Sequence, residues 1–136
     1  CFDLVHCQDV LEHVANPEMA ISELLRVTRS GGYVFIHVPD YRRCFEPHYR
    51  VRIKPSSKAQ ATKVLRALGR PLEYLEHLNF IDPSRIEQTA RRISPGDRIT
   101  RLGRRAHNPL QGLYHRLAGL NYDILIQRGL CENEIR

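Results

Sequence analysis

Apolar and polar residues alternate along the chain in blocks that read as secondary structure. Phe2–Cys7 form a short apolar and β-branched run, the pattern of a buried strand. Val10–Val14 predict a turn or a short helix. A helix follows with clear punctuation. Asn16 is a good N-cap, Pro17 suits the first helical position, and Glu18 favours the positive end of the helix dipole. Ala20, Ile21, Leu24, Leu25 and Val27 recur at helical spacing and make one apolar face. Arg26 and Arg29 are expected in the last turn, with Gly31 closing the helix in a left-handed conformation. Gly31-Gly32 then leads into a second strand, Tyr33–Val38, stopped by Pro39. Strand, helix and strand within 39 residues predict a βαβ unit with parallel strands.

Beyond Pro39 the pattern is less regular. Residues 40–55 are interrupted by Pro47 and Pro55. Lys58–Leu68 have helical spacing, and Leu75–Phe80 suit an extended piece or a helical turn. Asp82-Pro83-Ser84 opens another helix reaching to about Arg92. Arg98–Leu102 read as a weak strand, Pro109–Leu120 as a helix, and Tyr122–Gln127 as a strongly apolar last strand. No internal repeat or low-complexity tract is visible.

Length and composition narrow the class. A chain of 136 residues with 42% hydrophobic residues suffices for one ordinary core. No apolar run approaches the roughly 18 residues of a membrane span. The four cysteines, Cys1, Cys7, Cys44 and Cys131, are scattered without CxxC spacing. That favours free thiols in a reducing compartment, so a cytoplasmic location is expected. The net charge of +6 is uneven: residues 1–39 carry −3, residues 40–116 carry +10, and the last twenty carry −1. Most of the basic residues are arginine, which suits planar recognition of phosphate or carboxylate. A solvated basic surface is the competing reading.

The segment "FDLVHCQDVLEHVANPEMAISELLRVTRSGGYVFIHVP" resembles the second half of class I S-adenosylmethionine-dependent methyltransferases, of the methyltransferase type 11-like kind. The resemblance rests on Phe2-Asp3-Leu4-Val5, Val10-Leu11-Glu12-His13, Glu23-Leu24-Leu25-Arg26-Val27 and Ser30-Gly31-Gly32 in that order and spacing. Ser30 stands where the family usually has Pro. "EPHYRV" and "GRPLEYLEHLNFIDPSRI" are similar to the variable insert of some bacterial members.

This resemblance implies an α/β fold: a partial Rossmann-like methyltransferase fold of parallel strands with a C-terminal antiparallel strand. Residues 1–39 would be the second-half βαβ core. Residues 40–116 would be a basic, mostly helical insert that lids the acceptor side, and 117–136 the final strand and tail. Family members carry three strands and a Gly-rich cofactor loop ahead of the matching region, and no GxGxG occurs here. The chain is therefore expected to be an N-terminally truncated domain, entered at a central strand. On that reading it neither folds robustly nor binds cofactor alone.

The resemblance also implies S-adenosylmethionine as cofactor, with Cys7, Gln8 and Asp9 flanking its methionine part. Ligands of open α/β sheets sit beyond the carboxyl ends of the strands, which is where these residues fall. His13 is the candidate general base, since an imidazole titrates near working pH. Asp9 or Glu12 would orient it or act as base. A structural, hydrogen-bonded His13 and a helix-capping Glu12 are the alternatives. Asp9, Glu12 and His13 also fall within one turn, where some quinone O-methyltransferases of the family place a divalent ion; no metal is assigned. His37 lies inside the second strand and suits a core or neighbour-paired histidine.

Asp40 and Tyr41 just past that strand, with His48, Tyr49, Arg42 and Arg43, are candidate acceptor contacts; ordinary loop residues are the alternative. The expected activity is methyl transfer to a small or carrier-linked, anionic acceptor. An RNA-binding or RNA-modifying methyltransferase and a non-catalytic Rossmann-like scaffold are the other readings. Ten aromatics, no RNA-binding signature and no unbroken basic run count against the first of these. The intact Asp9, Glu12 and His13 count against the second.

Overall fold

The computed structural model describes residues 1–41, 48–49, 58–102 and 121–130. Strand β1 (Phe2–Gln8), helix α1 (Pro17–Val27) and strand β2 (Thr28–Pro39) form the expected βαβ unit. Helices α2 (Lys58–Ala67), α3 (Glu73–His77) and α4 (Pro83–Ile93) follow, then strands β3 (Arg98–Leu102) and β4 (Asn121–Gln127). The sheet order is β1-β2-β4-β3. β1 and β2 are parallel, and β4 runs antiparallel to both of its neighbours. This is the mixed sheet expected of a partial Rossmann-like methyltransferase fold. The helix expected over Pro109–Leu120 lies outside the described residues, as do Cys44 and Cys131.

Local chemistry explains the elements. Asn16 caps α1 by accepting a 3.0 Å hydrogen bond from the Met19 N–H. Asp82 caps α4 in the same way, accepting from the Ser84 N–H at 2.8 Å, and Pro83 takes the first helical turn. Ile21 and Leu25 of α1 and Ile86 and Ala90 of α4 pack on Val34, Ile36, Val38, Ile124 and Ile126 of one sheet face. Glu87 of α4 fastens this layer. It accepts a two-pronged bond from Arg101 of β3, at 2.6 and 2.9 Å, and a third at 2.5 Å from the Tyr122 hydroxyl of β4. A smaller cluster of Tyr49, Ala61, Leu65, Leu75 and Leu78 joins α2 to α3. Phe2 and Leu4 on β1 remain 60% exposed.

One boundary differs from expectation. Helix α1 stops at Val27, and β2 begins at Thr28 instead of Tyr33. The Thr28 hydroxyl donates to the Leu24 carbonyl at 2.7 Å, while its backbone turns extended. Arg29 leaves the helix to pair with Asp3 of β1 at 2.5 Å. Gly31 has the expected positive φ of 70°, but inside a strand irregularity and not at a helix end. Between the Phe2–Thr28 and Leu4–Tyr33 pairings β1 advances two residues and β2 five, so β2 bulges. Gly32 sits at the tightest point of this bulge. A Cβ there would lie 2.9 Å from the Asp3 carbonyl oxygen and 3.0 Å from that of Arg29. The Gly32 carbonyl accepts from the Arg128 N–H at 2.9 Å, which ties the bulge to the segment after β4.

Gly32→Ala should therefore destabilise the fold by about 1–3 kcal/mol, because backbone and not a flexible side chain must yield. Gly96→Ala, where nothing lies within 4 Å, should be near neutral. Paired denaturant melts of the two variants check this; equal midpoints would contradict it.

Candidate functional site

The parallel pairing brings the carboxyl ends of β1 and β2 side by side, with Gln8 opposite His37. Asp9 then leaves the sheet at φ 51°, a left-handed conformation that aspartate tolerates better than most residues. Its N–H donates to the His37 carbonyl at 3.0 Å. The Asp9 carboxylate lies 3.7 Å from Nε2 of His37, and the Gln8 amide donates to it at 3.3 Å. Gln8 and Asp9 are exposed, whereas the Cys7 side chain points into the core. Burial, reinforced by the Glu12 charge, pushes the Cys7 thiol up to about 11.

The turn after Asp9 is pinned from both sides. Leu11 is fully buried beneath it, and the His13 N–H donates to the Val10 carbonyl at 2.9 Å. Asn79 clamps it from the segment before α4. The Asn79 N–H donates to the Glu12 carbonyl at 2.6 Å, and its side-chain amide donates to the Val14 carbonyl. Glu12 is 1% exposed, and neither carboxylate oxygen has a hydrogen-bond partner among the described residues. Burial raises its pKa, with the Asp9 charge adding to the effect; its own backbone amide, and then the nearby His13 and His48, oppose it. His13 is exposed and meets the His48 ring edge-on at 5.1 Å. His48 in turn lies 6.3 Å from the Tyr74 ring.

The remaining candidates divide. Asp40 and Tyr41 are both buried at the end of β2, Tyr41 edge-on to Phe80 at 5.1 Å. Tyr49 is buried as well, its hydroxyl oxygen accepting from the Leu75 N–H at 3.0 Å. Arg42 and Arg43 lie outside the described residues. The structure thus gathers Asp9, Glu12, His13 and His48 at the strand ends, and places Tyr49 in the α2–α3 cluster. Among the described residues no group of three or more His, Cys, Asp or Glu side chains is arranged to hold a metal ion. No described helix is long and apolar enough to cross a membrane.

Two contributors were not singled out from sequence as site residues. Asn79 is a lone amide between apolar neighbours in "HLNF", the one local hint of its role. Asp123 interrupts the apolar run "YDILIQ" and bonds His37, so His37 is the neighbour-paired histidine that its strand position suggests. A cleft of about 240 Å³ borders the clamped turn through Asn79. Pro17, Ile21, Phe80 and Ile86 give it apolar walls, and Lys58 and Arg85 add cationic groups.

The residues at the β1 end fit the methionine part of S-adenosylmethionine. The half-exposed Asp9 carboxylate suits an ammonium, and the Gln8 amide offers both a donor and an acceptor.

A family model for the methyltransferase domain matches residues 1–93, and the chain belongs to that family. It is a class I S-adenosylmethionine-dependent methyltransferase-like domain. A ubiquinone biosynthesis O-methyltransferase from Nitrosomonas europaea is 29% identical over 117 residues, covering 83% of this chain and 43% of that protein. The chain thus spans less than half the length of this curated relative. A chain in the solved complex of the Haloferax volcanii Trm112 methyltransferase activator with a methyltransferase superposes with a TM-score of 0.49. It is 10% identical, with 93% of this chain and 54% of that one covered.

The orphaned Glu12 makes a pH prediction. Its folded-state pKa lies above the unfolded one, so its contribution to stability is intact below the ordinary glutamate range of about 4.3 and is lost as pH rises through the raised value. Glu12→Gln should raise the denaturation midpoint at pH 8 and leave it unchanged near pH 4. Equal midpoints for the variant and the parent at pH 8 would contradict this.

Proposed function

We propose that this chain is the acceptor-side half of an S-adenosylmethionine-dependent methyltransferase, acting in the cytoplasm on a small or carrier-linked, anionic acceptor. The observation that carries the reading is the end of the parallel strand pair. There, an exposed His13 and a buried Glu12 stand on one clamped turn that opens at the exposed Asp9, with the His48 ring edge-on to His13. When bound, the cofactor supplies an activated methyl group. The chain's own work is then alignment and proton management.

Asp9 and Gln8 would hold the cofactor's amino-acid end. His13 would take the proton of an acceptor hydroxyl, a role supported by the relative named for O-methylation in ubiquinone biosynthesis. The Glu12 carboxyl, close beneath, would favour the imidazolium that forms. The cleft suits an acceptor with an apolar body, and Lys58 and Arg85 could meet an anionic substituent against the opposing Glu18 carboxylate, which pairs with Arg85 at 3.5 Å. In this reading residues 1–39 are the core, 40–116 the acceptor-side insert, and 117–136 the closing strand and tail.

His13→Ala in the full-length protein should lower turnover roughly a hundredfold or more, with the dissociation constant of S-adenosylhomocysteine unchanged. Steady-state kinetics with calorimetric binding test this. Turnover equal to the parent's would remove His13 as the base.

A further inference from the structure

His37 has a carboxylate at each ring nitrogen. Nδ1 lies 2.5 Å from Oδ1 of Asp123 on β4, and Nε2 lies 3.7 Å from Oδ1 of Asp9 beyond β1. The three side chains come from three elements, and they form a gradient of exposure. The Asp123 and His37 side chains are 14% and 11% exposed, and that of Asp9 is 50% exposed. The inner carboxylate holds the ring in plane through Nδ1, and the Nε2 edge lies at charge-pairing and not hydrogen-bond distance from Asp9, a contact that attracts when both ring nitrogens carry a proton. The ring then meets the outer carboxylate, which faces solvent at the strand ends. The backbone repeats the same link: the His37 carbonyl accepts the Asp9 N–H, and Asp9 adopts φ 51° to make that bond. The left-handed conformation of Asp9 is thus held in part by its bond to His37.

We propose that His37 is a positioning residue, oriented by Asp123, that fixes the direction of the Asp9 carboxylate toward a cationic, hydrogen-donating group such as an alkylammonium. The last strand in sequence thereby influences a residue at the end of the first, with Asp123 itself inside the sheet. The proposal rests on the reading of the β1 end as a binding site, and its test separates the two.

In the full-length protein, nitrogen–proton correlation NMR reads both ring nitrogens of His37, assigned by their loss in His37→Gln. Asp123→Asn should shift Nδ1, and Asp9→Asn, a half-exposed and well tolerated change, should shift Nε2. S-adenosylhomocysteine, which carries the ammonium, serves as the binding probe. Asp123→Asn should weaken its binding about tenfold in the parent and should add little once Asp9→Asn has removed the carboxylate, since Asp123 acts only through that group. Nε2 unmoved by Asp9→Asn overturns the proposal. So do independent, additive losses of binding in the double variant. If the parent binds no S-adenosylhomocysteine, the cofactor reading falls, and the response of Nε2 to Asp9→Asn still decides the positioning role.

Discussion

Parallel pairing of β1 with β2 is the constraint on which the site depends. Two parallel strands end at the same edge of a sheet, so the residues that follow them are neighbours whatever their separation in sequence. Here the Gln8–His37 register sets Asp9 against the His37 carbonyl. From that one contact the chain turns over the sheet edge. Val10–Val14 lie across it, Leu11 drops into the core, and His13 is left outside. A one-residue slip would reverse every side chain of β1, sending Cys7 to solvent and Gln8 inward. The strand register is therefore part of the candidate site and not merely its support.

The cost of this arrangement is concentrated in Glu12. A carboxylate that is 1% exposed, with no hydrogen-bond partner among the described residues, opposes folding at neutral pH. It is tolerated because Asn79 and Leu11 hold the turn from opposite sides, and because two imidazoles lie close enough to offset part of the penalty. Two other buried acids have hydrogen-bond partners. Glu87 has three bonds, and Asp97 holds both Arg128 and the Gly129 N–H at 2.9 Å. Among the described residues, then, a buried carboxylate without a hydrogen bond stands at the strand ends, where chemistry is expected.

Much of this was legible in the sequence, for physical reasons. Asn16-Pro17 and the apolar spacing after it are local signals, and α1 begins as they indicate. The same holds for Asp82-Pro83 and α4, and for the apolar run of β4. Gly31-Gly32 was ambiguous, because a glycine with positive φ serves a helix end and a strand bulge equally well. The choice fell to contacts that local pattern does not carry: the Asp3–Arg29 pair and the Arg128 bond to Gly32. At the site, Asp9, Glu12 and His13 stood out as a polar knot after an apolar strand. The clamp by Asn79 and the Asp123–His37 pair did not, since they join residues 65 and 86 positions apart. Register between β2 and β4 brings Asp123 to His37, and that register is a tertiary fact.

The central claim is that the end of β1 holds the methyl donor. Ultraviolet cross-linking of S-adenosylmethionine labelled in its methionine part, followed by peptide mapping of the full-length protein, tests it most directly. The account predicts label on the peptide containing Gln8–His13, reduced by Asp9→Asn. Specific label that excludes this peptide, or none that unlabelled cofactor competes away, would contradict it.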